Sequence, residues 1–182
     1  MRKIILLILL SVSGFVFSQK EGQDFCKGNS KGSYFPLDIT KKKIYWYNTF
    51  YYEVPNGTKT INEKQYVEFV QEWENGEVDL LYLREENGKV YQYEDCCKTK
   101  SLRYSDKMNN KEKWERIEDK VRYIVLVRNG KLRTPFCNYK DLFVLRAEYS
   151  NGVTYDFYYQ KGLGYIGATR KGELISYITP EN

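Results

Sequence analysis

The chain is 182 residues long, with a formal net charge of +5, eighteen tyrosines, four cysteines and no histidine. Without histidine there is no Ser-His-Asp or Cys-His arrangement for nucleophilic catalysis, and the commonest zinc ligand is missing. Basic and acidic residues interleave along the chain, so no stretch carries the concentrated positive charge that a nucleic-acid partner requires.

Arg2 and Lys3 precede an apolar run from Ile4 to Phe17, broken only by Ser11, Ser13 and Gly14. Val16-Phe17-Ser18 then offers a small residue for cleavage before Gln19. Residues 1–18 therefore read as a secretory signal peptide, too short for a convincing membrane span. An uncleaved anchor is the other reading. Lipidation would need a Cys directly after the apolar run, and Cys26 comes too late. Cleavage removes Arg2 and Lys3 and no acid, which takes the charge from +5 to +3 and leaves 164 residues, enough for one domain with a core. With no second long apolar run, the expected product is soluble and lies in the periplasm or outside the cell.

Gln19 to Gly32 reads as an extended polar tail, and residues 19–182 as one β domain. Aromatic residues make up 16% of the chain and Ala is nearly absent, a balance that suits pleated, half-buried surfaces. Lys41-Lys42-Lys43 is the densest basic spot and reads as a solvated lead into the first strand. Lys43 to Val54 alternates with period two, placing Ile44, Trp46, Phe50, Tyr52 and Val54 on one face. Tyr45, Tyr47, Thr49, Tyr51 and Glu53 fall on the other, more polar face. Pro55-Asn56-Gly57-Thr58 reads as a turn. Strands follow at about Gln65 to Trp73, Val78 to Arg84 and Lys89 to Tyr93, joined by Asn75-Gly76 and Asn87-Gly88, pairs suited to type I′ hairpin turns. Leu102 to Tyr104 is a short strand candidate, and Asp106 to Lys113 the best candidate for an exposed loop. Asn129-Gly130, Asn151-Gly152 and Lys171-Gly172 predict three further hairpins. Nine or ten short strands at regular spacing argue for an all-β, single antiparallel domain: a strongly curved sheet or partly open barrel, with a two-sheet sandwich as the alternative.

Chemistry is sparse. Gly162-Leu163-Gly164 sits between strands and reads as a bend, so no phosphate loop and no cofactor is predicted. There is no C-x-x-C pair, and no metal site is expected. Cys26, Cys96, Cys97 and Cys137 predict disulfides in an oxidising compartment. A bridge between neighbours holds the Cα atoms about 3.8 Å apart, closer than ordinary disulfide geometry prefers. In an extended segment the two side chains would point to opposite faces. The expectation is two bridges, Cys26 and Cys137 each taking one of the adjacent pair, with the assignment open. Among many carboxylates, none stands out as a catalytic pair, although a pair could hydrolyse glycans. Tyr45, Tyr47 and Tyr51 form a candidate sugar-stacking platform; the competing reading is that a second layer covers them.

Two segments carry a resemblance. Tyr34-Phe35-Pro36-Leu37, followed by Tyr45-Trp46-Tyr47, resembles the opening of small exported β-proteins of Gram-negative bacteria. Tyr158-Tyr159-Gln160-Lys161-Gly162-Leu163-Gly164-Tyr165-Ile166 is similar to their closing segment, and Leu102-Arg103-Tyr104 with Lys113-Trp114 look like their middle. The resemblance implies an antiparallel curved sheet and assigns no functional residue. The functional expectation is a non-enzymatic exported protein that binds a ligand or partner, such as an apolar molecule or a glycan. A carboxylate-dependent glycan hydrolase and a structural or protein-interaction module are the alternatives.

Overall fold

The structure, a computed structural model, describes residues 25–180; the expected leader and residues 19–24 of the tail lie outside the described residues. Its strands are β1 (Lys42–Trp46), β2 (Thr49–Ile61), β3 (Lys64–Trp73), β4 (Val78–Glu86), β5 (Lys89–Glu94) and β6 (Thr99–Ser105). The second half supplies β7 (Lys113–Glu115), β8 (Arg122–Arg133), β9 (Asn138–Glu148), β10 (Thr154–Gln160), β11 (Gly164–Arg170) and β12 (Glu173–Thr179). No helix occurs among the described residues.

All twelve strands join one antiparallel sheet in the order β6-β5-β4-β3-β2-β1-β12-β11-β10-β9-β8-β7. Consecutive strands pair throughout except β6 with β7, and β1 also pairs with β12, Ile44 opposite Ile178. The sheet is thus nearly closed into a barrel, and its two edges are the consecutive strands β6 and β7. The two-sheet alternative is set aside by this single continuous ladder.

Side chains fasten the seam where backbone pairing stops. Trp114 Nε1 donates to the Leu102 carbonyl at 2.7 Å, and the Ile117 amide to Ser101 Oγ at 3.2 Å. The connection across the seam is the exposed loop expected, exposed from Asp106 to Lys113 except at Met108, and it is anchored at several points. Met108 is buried, Arg128 Nη1 donates to its carbonyl at 2.6 Å, and the Lys111 amide donates to Val125 O at 2.7 Å.

Several turns fall elsewhere than expected. The stretch Lys43–Val54 is two strands, because Tyr47 takes φ +55° and a two-residue turn at Tyr47-Asn48 sends β2 back along β1. The Pro55–Thr58 segment is an irregularity inside β2, and the chain reverses at Asn62-Glu63, both at positive φ. Asn87-Gly88 has positive φ at both residues, as a type I′ turn requires; at Asn75-Gly76 only the glycine does, within a longer loop closed by Trp73 N to Glu77 O at 2.9 Å. Asn129-Gly130 is no turn. Gly130 pairs with Leu142 within the β8–β9 ladder, and a Cβ there would lie 2.3 Å from Val144 Cγ2. The hairpin reverses instead at Thr134–Cys137, where the Thr134 amide donates to Cys137 O.

The long β8–β9 hairpin explains why β9 is apolar on both faces. Phe143 and Leu145 pack with Tyr34, Phe35, Phe69, Leu83, Val90 and Tyr104. Leu142 and Val144 belong to a second cluster with Leu132, Cys137, Tyr139 and Leu163.

The cysteines overturn the expected pairing. Cys26 is bonded to Cys137, fixing the first described residues to the β8–β9 tip, and Cys96 is bonded to Cys97. The adjacent pair lies in the exposed turn between β5 and β6, with Lys98 at φ +50°. The premise of an extended segment fails there, so the side chains do not diverge to opposite faces.

Candidate binding cavity

The turn at Tyr47-Asn48 decides which side chains of β1 and β2 face inward. Across it Trp46 pairs with Thr49, Ile44 with Tyr51 and Lys42 with Glu53. The next rung puts Gln71 of β3 beside Glu53, and Gln71 Nε2 donates to Glu53 Oε2 at 2.8 Å. Lys42, Glu53 and Gln71 therefore form a polar row across three strands.

That row forms one wall of a cavity of about 150 Å³ inside the barrel. The other walls are aromatic and aliphatic, with Trp46, Phe69, Leu81, Leu83, Phe157 and Tyr159 among them. Arg103 of β6 adds a second cation. The segment leading into β1 closes one side. Phe35 stacks on Tyr159 with ring centres 4.3 Å apart and on Tyr104 at 5.0 Å, while Pro36, Leu37 and Ile39 line the space. This segment meets the β10–β11 bend directly: the Gly162 amide donates to Ser33 O at 2.7 Å, and a Cβ on Gly164 would lie 3.2 Å from both Pro36 Cδ and Lys42 Nζ. The two segments singled out in the sequence by resemblance thus pack against each other at the cavity.

The electrostatics follow from burial. Lys42 donates from Nζ to the Leu163 carbonyl, and burial pushes its amino group down to about 8, with Glu53 pulling the other way. Burial raises the hydroxyls of Tyr51, Tyr159 and Tyr165, so all three stay neutral; Tyr165 donates to Ser176 Oγ at 2.7 Å. Glu53 is the only carboxylate among the described residues that line the cavity.

A pair of acids does meet elsewhere. Glu94 at the end of β5 is 1% exposed. Its carboxyl is raised to about 7 by burial first, and then by a hydrogen bond with Glu118 of the β7–β8 connection; Ser101 and Arg116 oppose the shift. Glu94 is buried at the seam while Glu118 is exposed, and neither lines the cavity. No cluster of three or more His, Cys, Asp or Glu able to hold a metal occurs among the described residues.

The three tyrosines proposed as one platform are separated. Tyr51 is buried at 9% exposure and lines the cavity. Tyr47 sits in the turn, 48% exposed. Tyr45 lies on the opposite face of β1 from Ile44, stacked on Tyr177 at 5.5 Å and beside Phe50 at 5.8 Å, with Lys43 Nζ 4.0 Å from the Phe50 ring centre. Period-two reading put Glu53 on the outer face because it carried one strand through the turn, which reverses the inward set after Asn48; Lys42 was read as a solvated lead into the strand, and nothing in the alternation of β3 marks Gln71 as a polar group facing inward.

Comparison of the chain with protein-family models, with curated proteins and with solved structures found no match.

Proposed function

We propose that this chain is an exported binding protein that holds a small molecule in its barrel interior. The ligand would have an apolar body about the size of one ring and an oxygen-bearing head. The supporting observation is the cavity itself: about 150 Å³, mostly apolar, with Lys42, Glu53 and Gln71 aligned on one wall. A cavity of roughly this volume is known to take benzene when its walls are apolar, and small-molecule sites combine such walls with a few placed polar groups. The apolar run at residues 4–17 and two disulfides support export. No helix among the described residues is long and apolar enough to cross a membrane. The hydrolase reading has less support. Two carboxylates flanking a bond are needed; among the described residues Glu53 is the one carboxylate lining the cavity, and Glu94 and Glu118 lie outside that lining.

The test is titration of the isotope-labelled protein with benzyl alcohol and with benzoate, followed by amide NMR. Saturable shifts centred on Leu37, Tyr51, Phe69 and Leu81 are expected, and Leu81→Trp, which fills the space, should remove them. Shifts absent for both probes, or unchanged by the filling variant, would overturn the reading.

A further inference from the structure

Lys42 stands out among the lysines. It projects from β1 into a space lined by Trp46, Tyr51, Phe157 and Tyr165, its cross-strand partner is Glu53, and its Nζ has the Leu163 carbonyl as acceptor. Lys42 and Glu53 make no ion pair within 4 Å, although directly opposed residues of an antiparallel ladder hold their Cβ atoms about 5 Å apart. The amine thus faces an apolar pocket with a carboxylate alongside. Its neighbours in sequence, Lys41 and Lys43, lie instead against the rings of Tyr52 and Phe50 on the other face, each 4.0 Å from a ring centre.

Building on the cavity reading above, we propose that Lys42 captures carbonyl ligands, and that the cavity takes a small apolar aldehyde and holds it as an imine. The unprotonated Nζ adds to the aldehyde carbon. One N–H proton passes to the carbonyl oxygen, giving a carbinolamine. The C–O bond then breaks, oxygen leaves as water with the second proton, and the C=N bond forms. Nothing is oxidised or reduced and no co-reactant is required. Glu53 is the nearby carboxylate able to take and return the proton, and Gln71, donating to Glu53 Oε2, holds it in place. Buried amines in apolar pockets are the ones that act as nucleophiles toward carbonyls, because burial disfavours the ammonium form. With the Lys42 amino group lowered to about 8, roughly a tenth is unprotonated at pH 7, against less than about a thousandth for an exposed lysine.

The test uses the full chain, benzaldehyde as probe and cyanoborohydride to trap the imine, read by intact mass and peptide mapping. Expected is one benzyl group, on Lys42, appearing about tenfold or more faster than labelling of Lys41 and Lys43. Excess benzyl alcohol, which has the same ring but no carbonyl, should slow labelling at Lys42 alone. Lys42→Met should lose the fast site; the competition experiment on the native chain does not depend on that variant. Benzyl alcohol binding without an adduct at Lys42 would overturn the imine and leave the cavity reading standing. Neither binding nor adduct would overturn both. Equal labelling of Lys41, Lys42 and Lys43, unprotected by benzyl alcohol, would overturn the proposal as well.

Discussion

Leu132, at the far end of the β8–β9 hairpin, rests on the bare backbone of Gly167 in β11: a Cβ built on Gly167 would lie 3.1 Å from Leu132 Cδ2. The same Cβ would lie 2.4 Å from the Ser176 carbonyl of the neighbouring strand. The hairpin tip therefore packs on the sheet only because this rung has no side chain. Gly167→Ala should destabilise the protein by roughly 2 kcal/mol or more, since a ladder carbonyl must move along with a flexible leucine. Urea unfolding measures this, and a change below about 0.5 kcal/mol would show that the rung adjusts freely.

The two disulfides should contribute very differently. Cys26–Cys137 spans 111 residues of sequence, and in the chain-entropy model a loop of that length is worth about 4–5 kcal/mol. Replacing both with Ser should lower stability by several kcal/mol and speed amide exchange around Thr134–Tyr139. Cys96–Cys97 closes almost no chain, so its double Ser variant should stay within about 1 kcal/mol of the native protein. Equal losses from the two pairs would contradict this account.

Trp114 joins the two edges of the barrel. Its Nε1 donates to the Leu102 carbonyl at 2.7 Å across the β6–β7 seam, where no backbone ladder runs. Trp114→Phe keeps an aromatic ring and removes that donor, and should cost about 1–2 kcal/mol. Amide exchange in β6 and β7 should rise more than in β1 and β12. A uniform rise would mean the seam opens no more readily than the rest.

Glu94 gives stability a particular pH dependence. Its carboxyl is raised from 4.5 to about 7 in the folded protein, chiefly by burial. Between those values the folded state holds a proton that the unfolded chain has released. Stability therefore falls as pH rises through this window, levelling off above about 7. Glu94→Gln should flatten the dependence between pH 4.5 and 7, measured by urea unfolding at several pH values. An unchanged slope in the variant would place the titrating group elsewhere.

The sequence by itself determined the class of fold. Period-two alternation, abundant Tyr and the glycine-containing turns at Asn87-Gly88, Asn151-Gly152 and Lys171-Gly172 depend on local backbone geometry, and local geometry is written in adjacent residues. They gave an all-β antiparallel domain, as a curved sheet or partly open barrel with a two-sheet sandwich as the alternative, and the approximate positions of most strands. Turns that depend on packing were illegible. Tyr47 adopts a positive φ with no glycine to announce it, and Asn129-Gly130 stays within a strand because Val144 needs the space above the glycine. One missed turn then moved Tyr51 from a supposed outer platform to the cavity wall and hid the facing of Lys42 and Glu53. The Cys26–Cys137 bridge, the closing of the seam by Trp114 and the meeting of Phe35 with Tyr159 were decided only by the tertiary structure. Each joins residues far apart in the chain, and no local pattern records which distant surface a curled sheet will bring to them.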